Sequence, residues 1–276
     1  MNIIASVYLL LLGLVFAGLI IYTPISIVID IYKYIIKNHF NGILLFIDLK
    51  PRYRKILETY SNYYHMIPQK KQRLFRARVA KFIAMKEFVV RGDLPKVTDE
   101  MKVLIGSLAI QLTYGHPNIY FQNFYKILIY PDSYYSEISK NYHHGEVSPR
   151  GYIILSWKNF LEGWIDRKDG TNLGLHEMAH ALHLENAIRN EEYDFLDFEM
   201  LKMFDREASV EIEKIRNGET PFFRAYAGTN KHEFFAVMIE NFFERPSEFK
   251  TYNASLYSVC CKLLNQNPLQ LHRVAG

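Results

Sequence analysis

The chain has 276 residues, 49% of them hydrophobic and 22% charged, with 33 Lys+Arg against 29 Asp+Glu. That much apolar material at modest charge excludes a disordered tail, and a net charge of +4 without clustering gives no footprint for nucleic acid. The two cysteines, Cys260 and Cys261, are sequence neighbours, so no disulfide framework exists and a small secreted disulfide scaffold is excluded.

No charged side chain occurs from Asn2 to Ile29, and Ile3 to Ile29 is almost wholly aliphatic, aromatic or small. About 20 apolar residues suffice for a helix to cross a bilayer core, so the run predicts one transmembrane helix. A cleaved signal peptide would want a basic start and a shorter apolar stretch. Lys33, Lys37, Lys50, Arg52, Arg54 and Lys55 follow the run while only Met1 and Asn2 precede it. The positive-inside rule then puts the body of a single-pass protein in the cytoplasm. Residues 1–37 read as anchor and juxtamembrane helix, and 38–67 as a linker or interfacial segment. Within Ile31–Leu49, the apolar stretch Gly42–Leu49 fits an interfacial helix and a buried piece of the soluble domain equally well.

Residues 68–276 read as one α+β domain. Leu74–Val90 has apolar residues at helical spacing with basic residues between them, and Glu100–Tyr114 follows after the stop at Asp93-Leu-Pro. Lys126–Tyr130 and Tyr152–Trp157 are apolar runs bounded by turn residues and read as buried strands. His143 and His144 fall in a polar loop or hairpin tip between them. Helices follow over Asn172–Leu184, Leu196–Arg216, Asn230–Glu244 and about Tyr252–Asn265, so helices flank a small central sheet.

Inside the first of these helices stands His176-Glu177-Met178-Ala179-His180, the pattern H-E-x-x-H. Residues four apart share a helix face, so both imidazoles reach one Zn²⁺, and Glu177 stands where it can take a proton from water. Two histidines and a carboxylate on an otherwise apolar helix need partners, because unpaired buried polar groups are costly. A metal satisfies both rings at once. A catalytic site needs a third protein ligand. Glu233 and Glu240 interrupt an apolar helix; seven residues apart, they lie within about 20° of each other around its axis. Spacing alone leaves them level: one would ligate while the other orients a ligand histidine. His183 competes less well, since the longer motif with a third histidine is absent.

Together, Asn172-Leu-Gly-Leu-His-Glu-Met-Ala-His-Ala-Leu, Tyr226-Ala-Gly-Thr-Asn-Lys-His-Glu-Phe-Phe-Ala-Val and Glu240-Asn-Phe-Phe resemble the Mlc titration factor A family of zinc-dependent peptidases. Lys126-Ile-Leu-Ile-Tyr-Pro, Gly151-Tyr-Ile-Ile-Leu-Ser-Trp and Asn267-Pro-Leu-Gln-Leu-His-Arg fit in the same order, so the resemblance covers roughly Pro68–Arg273. It implies a zincin-like fold and one zinc ion per chain on His176, His180 and Glu233. It also implies Glu177 as general base, Tyr226 as an active-site tyrosine, and Glu240 left to support a ligand or line the pocket. The tyrosine-to-glutamate spacing is similar to that of the anthrax lethal factor catalytic domain. The family implies peptide hydrolysis, aminopeptidase-like in known members, and one member binds the glucose repressor Mlc. The expected protein is thus a membrane-anchored zinc metallopeptidase acting on a peptide or protein substrate. The alternative is a regulator that binds a transcriptional repressor or other cytoplasmic partner, with peptidase activity minor.

Overall fold

A computed structural model describes residues 48–136, 140–188, 195–219 and 222–272. The expected membrane helix and the first part of the expected linker lie outside the described residues. Among the described residues, no helix is long and apolar enough to cross a membrane.

Residues 51–67, expected as linker, are folded. Pro51 opens helix α1 (Pro51–Tyr60) and a one-turn helix α2 (Asn62–Met66) follows. Proline is suited to a helix's first turn, where its missing N–H leaves nothing unpaired. Tyr53, Leu57, Tyr63 and Tyr64 point inward and are buried in the main core. Arg52, Arg54 and Lys55 lie on the exposed side of α1.

Helix α3 (Gln69–Met85) packs on α4 (Asp99–Leu112), whose N-cap Thr98 accepts a hydrogen bond from the Met101 amide. The helix expected over Leu74–Val90 therefore ends earlier, and its last residues form strand β1 (Glu87–Val90). Val89 and Val90 are β-branched and pair in parallel with Leu128 and Ile129, a partner invisible to local periodicity.

The main sheet has four strands, with β1 at one edge followed by Lys126–Tyr130, Tyr152–Ser156 and Gly145–Ser148. Strands β1, β2 (Lys126–Tyr130) and β6 (Tyr152–Ser156) are mutually parallel, and β5 (Gly145–Ser148) runs antiparallel along the edge. Ile127, Ile129, Ile153 and Leu155 alternate onto the covered face, where α6 (Leu173–Ile188) lies against β6 and β5. A separate two-stranded ribbon joins β3 (Tyr134–Ser136) to β4 (Asn141–His143), so His143 ends a strand rather than sitting in a loop.

Helix α5 (Trp157–Ile165) follows β6 directly, and α6 packs on α4, α5 and α8 (Lys231–Glu244). Helix α7 (Phe198–Arg216) also packs on α8. The final helix expected over Tyr252–Asn265 is instead α9 (Pro246–Tyr252) and α10 (Ala254–Leu263). Asn253 separates them because its side chain caps α10 by accepting from the Leu256 amide. Pro268 opens a further turn, α11 (Pro268–His272). The architecture is mixed α+β, with helices around a small sheet.

Candidate metal centre

Helix α6 begins where the Asn172 side chain accepts a hydrogen bond from the Leu175 amide, 2.9 Å. Gly174 sits where a Cβ would come 2.6 Å from the Phe160 ring, so the helix settles close on α5. Gly170, at φ +75°, turns the chain beside Asn241 of α8. These contacts seat α6 with His176 and His180 toward α8. On α8 the N-cap Asn230 accepts from the amides of His232 and Glu233, which puts Glu233 in the first turn, facing both histidines.

His176 Nε2 and His180 Nε2 lie 3.1 and 3.2 Å from Glu233 Oε2, and 3.1 Å from each other. These three residues form the one group of histidine, cysteine or carboxylate side chains among the described residues able to hold a metal ion. Donor chemistry supports that use. His176 Nδ1 stands 2.7 Å from Glu240 Oε1, and a carboxylate can only accept, so Nδ1 carries hydrogen and Nε2 of the neutral ring turns a lone pair inward. Two ring nitrogens and a carboxylate oxygen then point at one another. A cation satisfies all three at once. Ligand atoms held about 2.0–2.1 Å from a tetrahedral ion stand about 3.3–3.4 Å apart, close to the observed triangle.

Without an ion, the electrostatics favour a proton in its place. Burial opposes a charge on His176, but hydrogen bonds to Glu233 and Glu240 prevail and hold its pKa up at about 9. Burial would raise Glu233, yet its bonds to His176 and His180 keep it well below the usual carboxylate range. The site attracts positive charge.

Glu177 sits beside this triangle and is almost fully buried. Burial pushes its carboxyl up to about 8, against the opposing pull of His176. Its carboxylate lies over Gly145 of β5, where a Cβ would come 2.5 Å from Oε1. Tyr226 occupies a 3₁₀ turn, Ala225–Gly228, with its ring 5.9 Å from that of His176 and half of the residue exposed. Burial, then the charge of Glu233, raises its hydroxyl to about 12, so the phenol keeps its proton near neutral pH. Two hollows of 790 and 460 Å³ share His143, Gly145, His176, Glu177 and Tyr226 on their walls.

Glu240, two turns along α8 from Glu233, is completely buried and bonded to His176. His143 reaches the wall of both hollows and His144 that of the larger one, where His144 Nδ1 is held 2.9 Å from Ser133 Oγ and 3.0 Å from Asn159 Oδ1. His183 stays outside the triangle. Its ring packs edge-on to His232 at 5.0 Å and against Phe235. Sequence reasoning missed Arg224, whose guanidinium grips Glu240, and Gly145, which makes room for Glu177. No local pattern marks either, because the partners are remote in the chain.

The helix carrying H-E-x-x-H thus packs against a second helix carrying Glu233. The profile of the family described as glucose-regulated metallo-peptidase M90 matches residues 41–264, and the chain belongs to that family. It is 28% identical over 243 residues to the uncharacterized protein slr2042 of Synechocystis sp., covering 80% of this chain and 86% of that one. It is also 28% identical over 170 residues to Mlc titration factor A of Salmonella agona, covering 55% of this chain and 63% of the relative. For Mlc titration factor A of Escherichia fergusonii the figures are 29% over 163 residues, 53% and 61%. The chain thus spans under two thirds of these Mlc titration factors.

Proposed function

We propose that this chain is a zinc metallopeptidase with a zincin-like domain, holding one zinc ion on His176, His180 and Glu233. The observation that carries the reading is the convergence of two imidazole nitrogens and one carboxylate oxygen, each within 3.2 Å of the others, beside the buried carboxylate of Glu177. Membership of a metallopeptidase family agrees with it. Bound zinc supplies Lewis acidity, polarising a peptide carbonyl and making water a usable nucleophile near neutral pH.

The chain's own side chains account for the rest. Glu177 accepts a proton from the attacking water and delivers it to the departing amine nitrogen as the C–N bond breaks. Its almost fully buried place beside the triangle lets it hold that proton between the two events. Glu240 keeps His176 in the tautomer that faces inward. Tyr226, still protonated, donates to the peptide oxygen as negative charge grows there. Tyr226→Phe keeps the ring and its packing, so kcat should fall about 10²–10³-fold with KM and metal content little changed. Unchanged turnover in that variant would make Tyr226 structural.

The reading extends to the membrane on the strength of the sequence: residues 3–29 form a single-pass anchor, with the domain on the cytoplasmic side. Alkaline carbonate should leave the protein in the membrane fraction, and a C-terminal reporter should behave as cytoplasmic. A shortened, soluble chain recovered outside the membrane would defeat this part.

A second reading draws on the name of two relatives, Mlc titration factor A: this chain binds a transcriptional repressor or another cytoplasmic protein, with hydrolysis secondary. One experiment separates the two. A panel of fluorogenic peptides is offered to the purified protein before chelation, after chelation, and after zinc is restored. Chelator-sensitive, zinc-restored hydrolysis supports the peptidase. Absence of hydrolysis across the panel, with stoichiometric capture of a repressor by untreated and chelated protein alike, supports the regulator.

A further inference from the structure

Glu240 has no exposed surface, and a carboxylate so placed is costly unless its charge is matched and its lone pairs are filled. Each of its oxygens receives two donors. Oε1 accepts from His176 Nδ1 at 2.7 Å and Arg224 Nη2 at 2.7 Å. Oε2 accepts from the Asn172 amide at 2.6 Å and Arg224 Nη1 at 2.8 Å. The two guanidinium bonds run in parallel, the fork-on-fork geometry that fixes the plane of a carboxylate as well as its charge.

We infer that Arg224 is a positioning residue for the metal centre: by gripping both oxygens of Glu240, it holds the carboxylate that aims His176. The inference rests on the metal-site reading above and extends it by one residue. Arg224 is itself held on the far side, where Nη1 donates to the Gly170 carbonyl at 2.8 Å and approaches Thr171 Oγ1 at 3.4 Å. A single side chain therefore ties the segment entering α6 to the middle of α8, the two helices that supply the ligands. Its backbone stands two residues before Tyr226, so the same grip seats the turn carrying that phenol. Lysine offers a point charge on a flexible stem and cannot reproduce the fork.

The test uses the full chain and four variants: Arg224→Met, Arg224→Lys, Glu240→Gln, and Arg224→Met combined with Glu240→Gln. Zinc affinity is measured by chelator competition, and the melting of the metal-free proteins reports on the fold. Arg224→Met should bind zinc about 10–100-fold more weakly than the parent, and Arg224→Lys should recover only part of the loss. The double variant should bind zinc better than Arg224→Met alone. Glutamine still accepts the His176 N–H and no longer needs a counter-charge, so removing the carboxylate's charge relieves the loss of arginine. A purely structural arginine gives the opposite pattern, with the two losses adding. Zinc affinity within about twofold of the parent in Arg224→Met, or additive losses in the double variant, overturns the inference. Should Arg224→Met fail to fold, Arg224→Lys and the double variant decide it. A parent chain that binds no zinc sinks the underlying metal-site reading instead, and that result is seen before any variant is compared.

Discussion

Glu177→Gln should keep its metal and its fold while peptide hydrolysis falls about 10²–10⁴-fold, the usual contribution of a positioned general base. The substitution is close to isosteric, which matters because the side chain lies directly over Gly145 with no spare room. Shape is retained and proton acceptance is lost. Burial also makes this carboxyl unusual: at a pKa of about 8 it binds a proton far more readily than a surface glutamate. Below pH 8 the buried carboxyl is mostly neutral and glutamine matches it, and above pH 8 glutamine avoids the buried charge, so the metal-free variant should melt no lower than the parent. The measurement is single-turnover hydrolysis alongside metal content and melting temperature. A variant hydrolysing peptide at near-parental rate would remove Glu177 from the mechanism, and one that loses its metal would show that the carboxylate supports the ion.

The largest effect on stability is expected at Arg78. This residue is completely buried, and its guanidinium donates to the carbonyls of Thr113, Tyr114, His116 and Ile119 at 2.9, 3.0, 3.1 and 3.4 Å, as well as to Thr113 Oγ1. Those carbonyls belong to Thr113, the C-cap of α4, and to the segment that follows it. The aromatic rings of Tyr114 and Tyr120 stand 5.9 and 5.3 Å from the guanidinium carbon and stabilise it further. Arg78→Met preserves the apolar stem but removes the guanidinium from the Tyr114 and Ile119 carbonyls, while the Thr113 and His116 carbonyls keep the amides of His116 and Ile119 as donors. It should cost about 1–3 kcal/mol, the range for buried acceptors that lose their donor. For a domain of this size each kcal/mol lowers Tm by about 2–4 °C. Equilibrium denaturation checks it, and a loss below about 1 kcal/mol would mean that water replaces the guanidinium.

Arg78 also shows where reading the sequence stops. Its helix was legible, since apolar residues recur at the right spacing, but arginine among them reads as part of a solvated face. Only the fold discloses that this arginine caps a neighbouring helix end 35 residues away. The same limit hid Arg224, whose partner Glu240 lies on another element. It also hid β1, because four residues joined to a long helix become a strand only when β2 lies alongside. Residues 51–67 went unrecognised for a related reason: their charges are conspicuous and their buried tyrosines are not. By contrast, the spacing of His176 and His180 is governed by one helix, and β2 and β6 are apolar runs closed by turn residues. Both signals are local, and local signals survive in a single sequence. Whether Glu233 or Glu240 faces the two histidines is set by how α8 lies on α6, which spacing along α8 could not decide.

Helices α6 and α8 pack on each other, and Leu175, Met178 and Ala179 of one and Phe235, Ala236 and Ile239 of the other are buried in one apolar core. Their mutual position is therefore fixed by oil and shape, independently of any ion. A zinc finger collapses when stripped because its ion is the core. Here the ion would be a guest in a prebuilt seat, free to come and go without dragging the fold along. Such a seat tolerates exchange, and its imidazole and carboxylate donors also suit cobalt, nickel or copper, with copper the strongest competitor. Which ion occupies the protein in a living cell would then be decided by supply and trafficking rather than by folding.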